Sequence, residues 1–97
     1  MKAVFISFDQ AHYDAIMQLL DRNSQRGFTY WENVQGRGSK NGEPHYGSHA
    51  WPSTNSSIMA MVEDEKLDRL LDALHALDKS KEALGLRAFV MNVERSI

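Results

Sequence analysis

Apolar positions along the chain fall into four strand-like runs and two helical stripes. Residues 2–8 (KAVFISF) form the first run, with Ala3, Phe5 and Ser7 on one side and Val4, Ile6 and Phe8 on the other. Asp9 then has the chemistry of a helix N-cap, and Ala11, Ala15, Ile16, Leu19 and Leu20 follow at helical spacing. The first helix is expected over about 10–26, stopped by Gly27. Residues 28–35 (FTYWENVQ) are aromatic and β-branched and predict a second strand. A third strand is expected at 57–63 (SIMAMVE). Asp64 is the expected cap of a second helix, whose stripe is Leu67, Leu70, Leu71, Leu74 and Leu77. Residues 78–85 read as a lysine-bearing connection with a helical turn near 80–84, and 86–93 (LRAFVMNV) as the last strand. The order β-α-β-β-α-β is the ferredoxin-like split βαβ arrangement, an α+β sandwich with a four-stranded antiparallel sheet and two helices on one face.

Between the second and third strands the character changes. Residues 36–57 carry Gly36, Gly38, Gly42, Gly47, Pro44 and Pro52 among Ser, Asn and Thr. Connections in compact domains usually run about 4–6 residues, and a much longer loop is functional or mobile. No linker, repeat or low-complexity tract interrupts the rest, so one domain over 1–97 is expected.

Two helices cover only one face of such a sheet, and the other face of a lone soluble subunit should be polar. Here it is not. Met59 and Met61 oppose Ile58, Ala60 and Val62 across the third strand. Phe89, Met91 and Val93 oppose Ala88 and Val90 across the fourth. Both faces require cover, and copies of the same chain provide it most economically.

Composition narrows the function classes. Apolar residues are 42% and charged residues 25%, so the chain can fold around a core. The net charge is −2, which calls for no nucleic-acid partner. Cysteine is absent, which excludes disulfides, thiol nucleophiles and Cys-based zinc sites. The apolar run at 3–8 is too short for a signal-peptide core or a membrane span, and a cytoplasmic location without membrane insertion is expected.

Three stretches carry a family resemblance. Val34-Gln35-Gly36-Arg37-Gly38 resembles a V-K-G-x-G pattern that opens a long loop. Residues 61–71 (MVEDEKLDRLL) resemble V-V-D-D-E-x-V-D-x-V-I, and Phe89-Val90-Met91-Asn92-Val93-Glu94 resembles F-V-x-P-V-E. With their order and spacing, the chain resembles the PII-like signalling proteins, as a divergent member. The resemblance implies a non-enzymatic regulator and a homotrimer of ferredoxin-like subunits. It implies a small effector bound between subunits, and a T-loop at 36–57 that engages a target such as a membrane transporter or an enzyme. The effector-binding residues it implies are Gln35, Gly36, Arg37 and Gly38 at the loop base, with Gly85 and Arg87 before and within the last strand. The family's T-G-x-x-G-D-G-K phosphate pattern is degenerate here: residues 79–87 read KSKEALGLR, Gly85 alone remains of the glycines, and Arg87 replaces the lysine. The cofactor is therefore open between an adenine nucleotide and a divalent metal.

The metal alternative rests on the loop itself. His45 and His49, four apart with Glu43 close by, can meet one ion if the loop folds back, because neutral imidazole suits Zn, Cu and Ni. That reading makes the chain a metal-responsive PII-like or CutA-like protein, and a CutA-like chain would have a long β-hairpin in place of the loop. Tyr46 and the Trp51-Pro52 pair suit either a partner contact or packing of the loop onto its own body. Met59, Met61 and Met91 alternate as strand packing residues, not thioether ligands. His12 and His75 read as structural or exposed. An acylphosphatase-type V-Q-G loop is present as Val34-Gln35-Gly36, but it follows the second strand and cannot hold phosphate at the first helix.

Overall fold

The computed structural model describes residues 1–36, 44, 46–47 and 54–97. Four strands form one sheet: β1 (Lys2–Asp9), β2 (Thr29–Val34), β3 (Asn55–Val62) and β4 (Leu86–Asn92). Their spatial order is β2-β3-β1-β4, and every pairing is antiparallel. A short 3-10 helix (Gln10–His12) leads into α1 (Tyr13–Arg22), and α2 (Asp64–Ser80) leads into a second 3-10 turn (Glu82–Leu84). This is the expected ferredoxin-like architecture.

The core lies between the helices and one side of the sheet. Val4, Ile6 and Phe8 from β1, with Ile58, Ala60 and Val62 from β3, meet Ile16 and Leu20 of α1 and Leu70 and Leu74 of α2; Leu86 closes one end. These are the positions that strand alternation and helical spacing select, since period 2 and period 3.6 each place one stripe toward the same layer.

The other side of the sheet is apolar and open. Across it, Met91 and Met61 flank Ala3, and Phe89 and Met59 flank Phe5. Met61, Phe89, Met91 and, on β2, Trp31 remain 44–57% exposed. That pattern matches the two-sided apolarity read from the alternation.

Several boundaries differ from expectation, each for a local reason. Helix α1 ends at Arg22, not at 26. Ser24 takes a left-handed conformation (φ 56) three residues before the expected stop at Gly27, and the Asn23 side-chain amide donates to the Leu19 carbonyl. Gln25 is buried and donates to the carbonyls of Gly27 and Met61, which holds the turn against β3 beyond the end of β2. Asp64 is the first residue of α2 and not its cap. Glu63 occupies the cap position in extended conformation, and the Asp64 carboxylate instead meets the Met1 amino group at 3.0 Å. Strand β3 starts at Asn55, two residues early, because Asn55, Ser56 and Ser57 pair with Asp9, Phe8 and Ser7 despite their polarity. The stretch 36–57 is therefore not structureless throughout: besides Asn55–Ser57 in β3, Tyr46 and Thr54 form an antiparallel bridge.

Candidate functional site

One end of the sheet gathers the base of the long connection. Three steps along β2 from Trp31 to Val34 face two along β3 from Ser57 to Asn55, which is a bulge, and Asn33 sits there with φ 55. The extra residue turns the chain so that Gly36 lies directly on Asn55. A Cβ at Gly36 would stand 2.4 Å from the Asn55 side-chain nitrogen. That amide in turn donates to the Ser7 hydroxyl at 3.3 Å. Gln35 donates from its side chain to the Tyr46 carbonyl at 3.1 Å, and the Thr54 carbonyl accepts from the Gln10 amide at 3.0 Å.

The connection before β4 reaches the same end. The Asp9 amide donates to the Gly85 carbonyl at 3.3 Å, and Gly85 adopts φ 82 with ψ 127. Arg87 is exposed and pairs in register with Ser7, which pairs on its other side with Ser57. The end of β1 thus touches both segments. Of the six effector residues implied by resemblance, Gln35, Gly36, Gly85 and Arg87 lie at this end. Arg37 and Gly38 fall outside the described residues, as do His45, His49 and Glu43 of the metal alternative and Trp51. Among the described residues no three His, Asp or Glu side chains group as a metal site. Gly36 and Gly85 are not neighbours. They belong to opposite edges, β2 and β4, three strand spacings or about 14 Å apart. Within one subunit, a ligand that meets both must be extended.

Two glycines test this geometry in different ways. Gly36→Ala forces the buried Asn55 amide off Ser7, and about 1–3 kcal/mol of stability is expected to be lost with that bond. Gly85→Ala meets no atom within 4 Å, but its φ of 82 strains any side-chain-bearing residue. The cost is again about 1–3 kcal/mol. Urea midpoints of the two variants measure both effects. An unchanged midpoint for Gly36→Ala would show that Asn55 yields freely.

The residues that organise this end were not all readable from sequence. Asn55, Ser7, Thr54 and Gln10 carry no motif, and a polar Asn-Ser-Ser run is a poor strand signal. Asp9 does cap as expected: its carboxylate accepts from the Ala11 amide at 2.7 Å. His12, in the turn it caps, is 2% exposed. Its Nε2 has no hydrogen-bond partner. Burial lowers the His12 pKa below the usual 6.5; Asp9 and Asp78 oppose that shift and Lys81 adds to it.

A separate cleft of about 620 Å³ lies between the start of α1 and β2, lined by Gln10, Tyr13, Asp14, Tyr30, Glu32 and Ser56. The rings of Tyr13 and Tyr30 stand 5.1 Å apart at 56°, and the Tyr30 hydroxyl is 3.2 Å from that of Ser56. None of the residues implied by resemblance lines it.

Comparison with known proteins agrees with the architecture. The family model for nitrogen regulatory protein P-II matches residues 1–97. Among solved structures, the chain is similar to CPII, a nitrogen regulatory PII-like protein from Thiomonas intermedia K12, bound to ADP, AMP and bicarbonate. The identity is 28%, the match covers 99% of this chain and 94% of that one, and the TM-score is 0.72. CPII bound to ADP and bicarbonate matches at 29% identity, with 93% and 82% coverage and a TM-score of 0.73. A PII-like signalling protein from Thermus thermophilus shares the fold, at 21% identity, 95% and 84% coverage and a TM-score of 0.66. No curated protein sequence matches the chain.

Proposed function

The chain belongs to the nitrogen regulatory protein P-II family, and on that premise we propose that it is a trimeric sensor subunit, regulatory and not catalytic. Three copies close their open sheet faces on one another. A small effector binds between subunits near Gln35, Gly36, Arg37, Gly38, Gly85 and Arg87. The connection at 36–57 then changes its arrangement and alters docking to a target protein, such as a membrane transporter or an enzyme. The observation that carries this reading is the open face of Phe5, Met59, Met61, Phe89 and Met91, which a lone subunit leaves in water. No helix among the described residues is long and apolar enough to cross a membrane, and we place the regulator in the cytoplasm.

The loop base and the similar structures support one effector class. An extended anion suits a site that runs from the β2 edge to Arg87 on β4 of one subunit. Adenine nucleotides have that shape, and CPII is bound to ADP, AMP and bicarbonate. Residues 79–87 lack most of the glycines that would bring several backbone amides to a phosphate, so Arg87 supplies the principal charge. A ligand that binds only the native state raises the melting temperature by mass action, by about 2.7 kcal/mol at a hundred times Kd. Thermal shifts with ADP, AMP and bicarbonate, singly and together, are expected to show stabilisation by at least one adenine nucleotide. Arg87→Ala is expected to lose most of that shift while keeping its mass by light scattering. Stabilisation by zinc alone, with no response to any nucleotide, would overturn the effector assignment in favour of the metal reading.

A further inference from the structure

We propose that His12 is a proton-sensitive wedge beneath the loop base: when its buried ring takes up a proton, the 3-10 turn Gln10–His12 lifts and releases the Thr54 and Gly85 segments together. His12 is 2% exposed, and its Nε2 meets no acceptor. A neutral ring tolerates that position. An imidazolium does not, because both of its nitrogens become donors and one of them faces no partner. At 2% exposure the charged ring is poorly hydrated while the turn is closed, and opening of the turn brings water to Nε2.

The turn holds the two segments through its first residues. The Gln10 amide donates to the Thr54 carbonyl at 3.0 Å, and the Asp9 amide donates to the Gly85 carbonyl at 3.3 Å. Asp9 also caps the turn and pairs in register with Asn55, on which Gly36 is packed. A displacement at His12 therefore acts on both bonds at once, while the sheet pairings of Val4 and Ile6 lie deeper in the core. The charged groups facing His12 are Asp9 from β1, Asp78 from the last turn of α2, and Lys81 just beyond it. The two carboxylates favour the proton. Lys81 and burial oppose it, and burial is the largest influence.

The direction with pH follows from linkage. Above pH 6.5 the ring is neutral whether the turn is closed or open, and closure is fully favoured. Below 6.5 the open form binds the proton first, so acid shifts the population toward opening, by up to about tenfold per pH unit until the closed form is protonated too. The proposal requires no effector or target, so its failure leaves the effector assignment standing.

Amide hydrogen exchange by NMR at pH 7.5, 6.5 and 5.5, corrected for the intrinsic pH dependence of exchange, tests it. Protection of the Asp9 and Gln10 amides is expected to fall about fivefold between 6.5 and 5.5 and about tenfold between 7.5 and 5.5, with the Val4, Ile6 and Ile58 amides unchanged. His12→Phe keeps a ring of similar shape without a titrating group, and its Asp9 and Gln10 protection is expected to stay flat. If that variant does not fold, His12→Gln takes its place. Ring titration of the wild-type chain provides an independent readout, with a His12 midpoint expected below 6.5 and exposed His75 as the internal comparison. Constant protection in the wild type, an equal loss in the non-titrating variant, or a His12 midpoint at or above 6.5 would each overturn the proposal.

Discussion

Phe89→Asp is expected to convert a particle of three chain masses into single chains. Phe89 is 57% exposed on β4 and pairs in register with Phe5 of β1, which pairs in turn with Met59 of β3. In a closed trimer a single substitution acts three times, because symmetry repeats each contact. Removing a carboxylate from water without a partner costs several kcal/mol per ion, even after relaxation. Three such penalties exceed the gain from three apolar side chains at about 1.5–3 kcal/mol each. Light scattering at micromolar concentration reads the outcome directly. Gln18→Asp, on the exposed side of α1, carries the same charge change and is expected to leave the mass unaltered. A wild-type chain that already runs as one copy would defeat the trimer, and with it the proposed site between subunits.

The same alternation that predicts this face also explains where sequence reading succeeds. Ile58, Ala60 and Val62 face the helices while Met59 and Met61 face away, because residues two apart on a strand share a side. Leu70 and Leu74 of α2 are buried at helical spacing for a parallel reason. These signals are local and repeat, so one chain is enough to find them. Stops and starts are harder. The αL residue that ends α1 is Ser24 and not the glycine three positions on, a choice made by the contacts of Asn23 and Gln25 with the carbonyls around them. Asn55 joins β3 because Asp9 lies opposite it, and no neighbour in sequence signals that pairing.

The candidate site divides along the same line. Gly36 and Gly85 are legible as glycines flanking strands; a side chain at the first would press on the Asn55 amide, and the second holds a positive φ. The residues that join them to β1 are not legible. Ser7, Gln10, Thr54 and Asn55 act through pairings of 44 to 48 positions in separation or across strands, which periodicity cannot report. His12 is recognisable by spacing only as a residue in the first turn after a cap. Its burial, and the nearness of Asp78 and Lys81 at the end of α2, depend on contacts far along the chain.

Phe8→Ala is expected to cause the largest loss of stability in the molecule and to reach the site as well. Phe8 is fully buried, pairs with Ser56 and Leu86, and immediately precedes Asp9. Truncating a buried phenylalanine to alanine costs about 3–5 kcal/mol, the transfer of the ring plus the cavity it leaves. A domain of this length has about 5–15 kcal/mol in all, so the variant retains a fraction of it. At about 4–8 °C per kcal/mol, the melting temperature should fall by about 12–40 °C at a fixed chain concentration. Ile58→Val, one methylene smaller in the same core, should cost about 0.5–1.5 kcal/mol and serves as the graded comparison. The two variants differ in a further respect. The void left by Phe8 adjoins the β1 end from which Asp9 and Gln10 reach Gly85 and Thr54, so their amides should lose protection ahead of global unfolding. Ile58 pairs with Ile6 one turn of the pleat away, and its truncation should lower stability without that early local opening. Equal protection losses at Asp9 and Gln10 in the two variants, once matched for global stability, would show that the loop base is not anchored through Phe8.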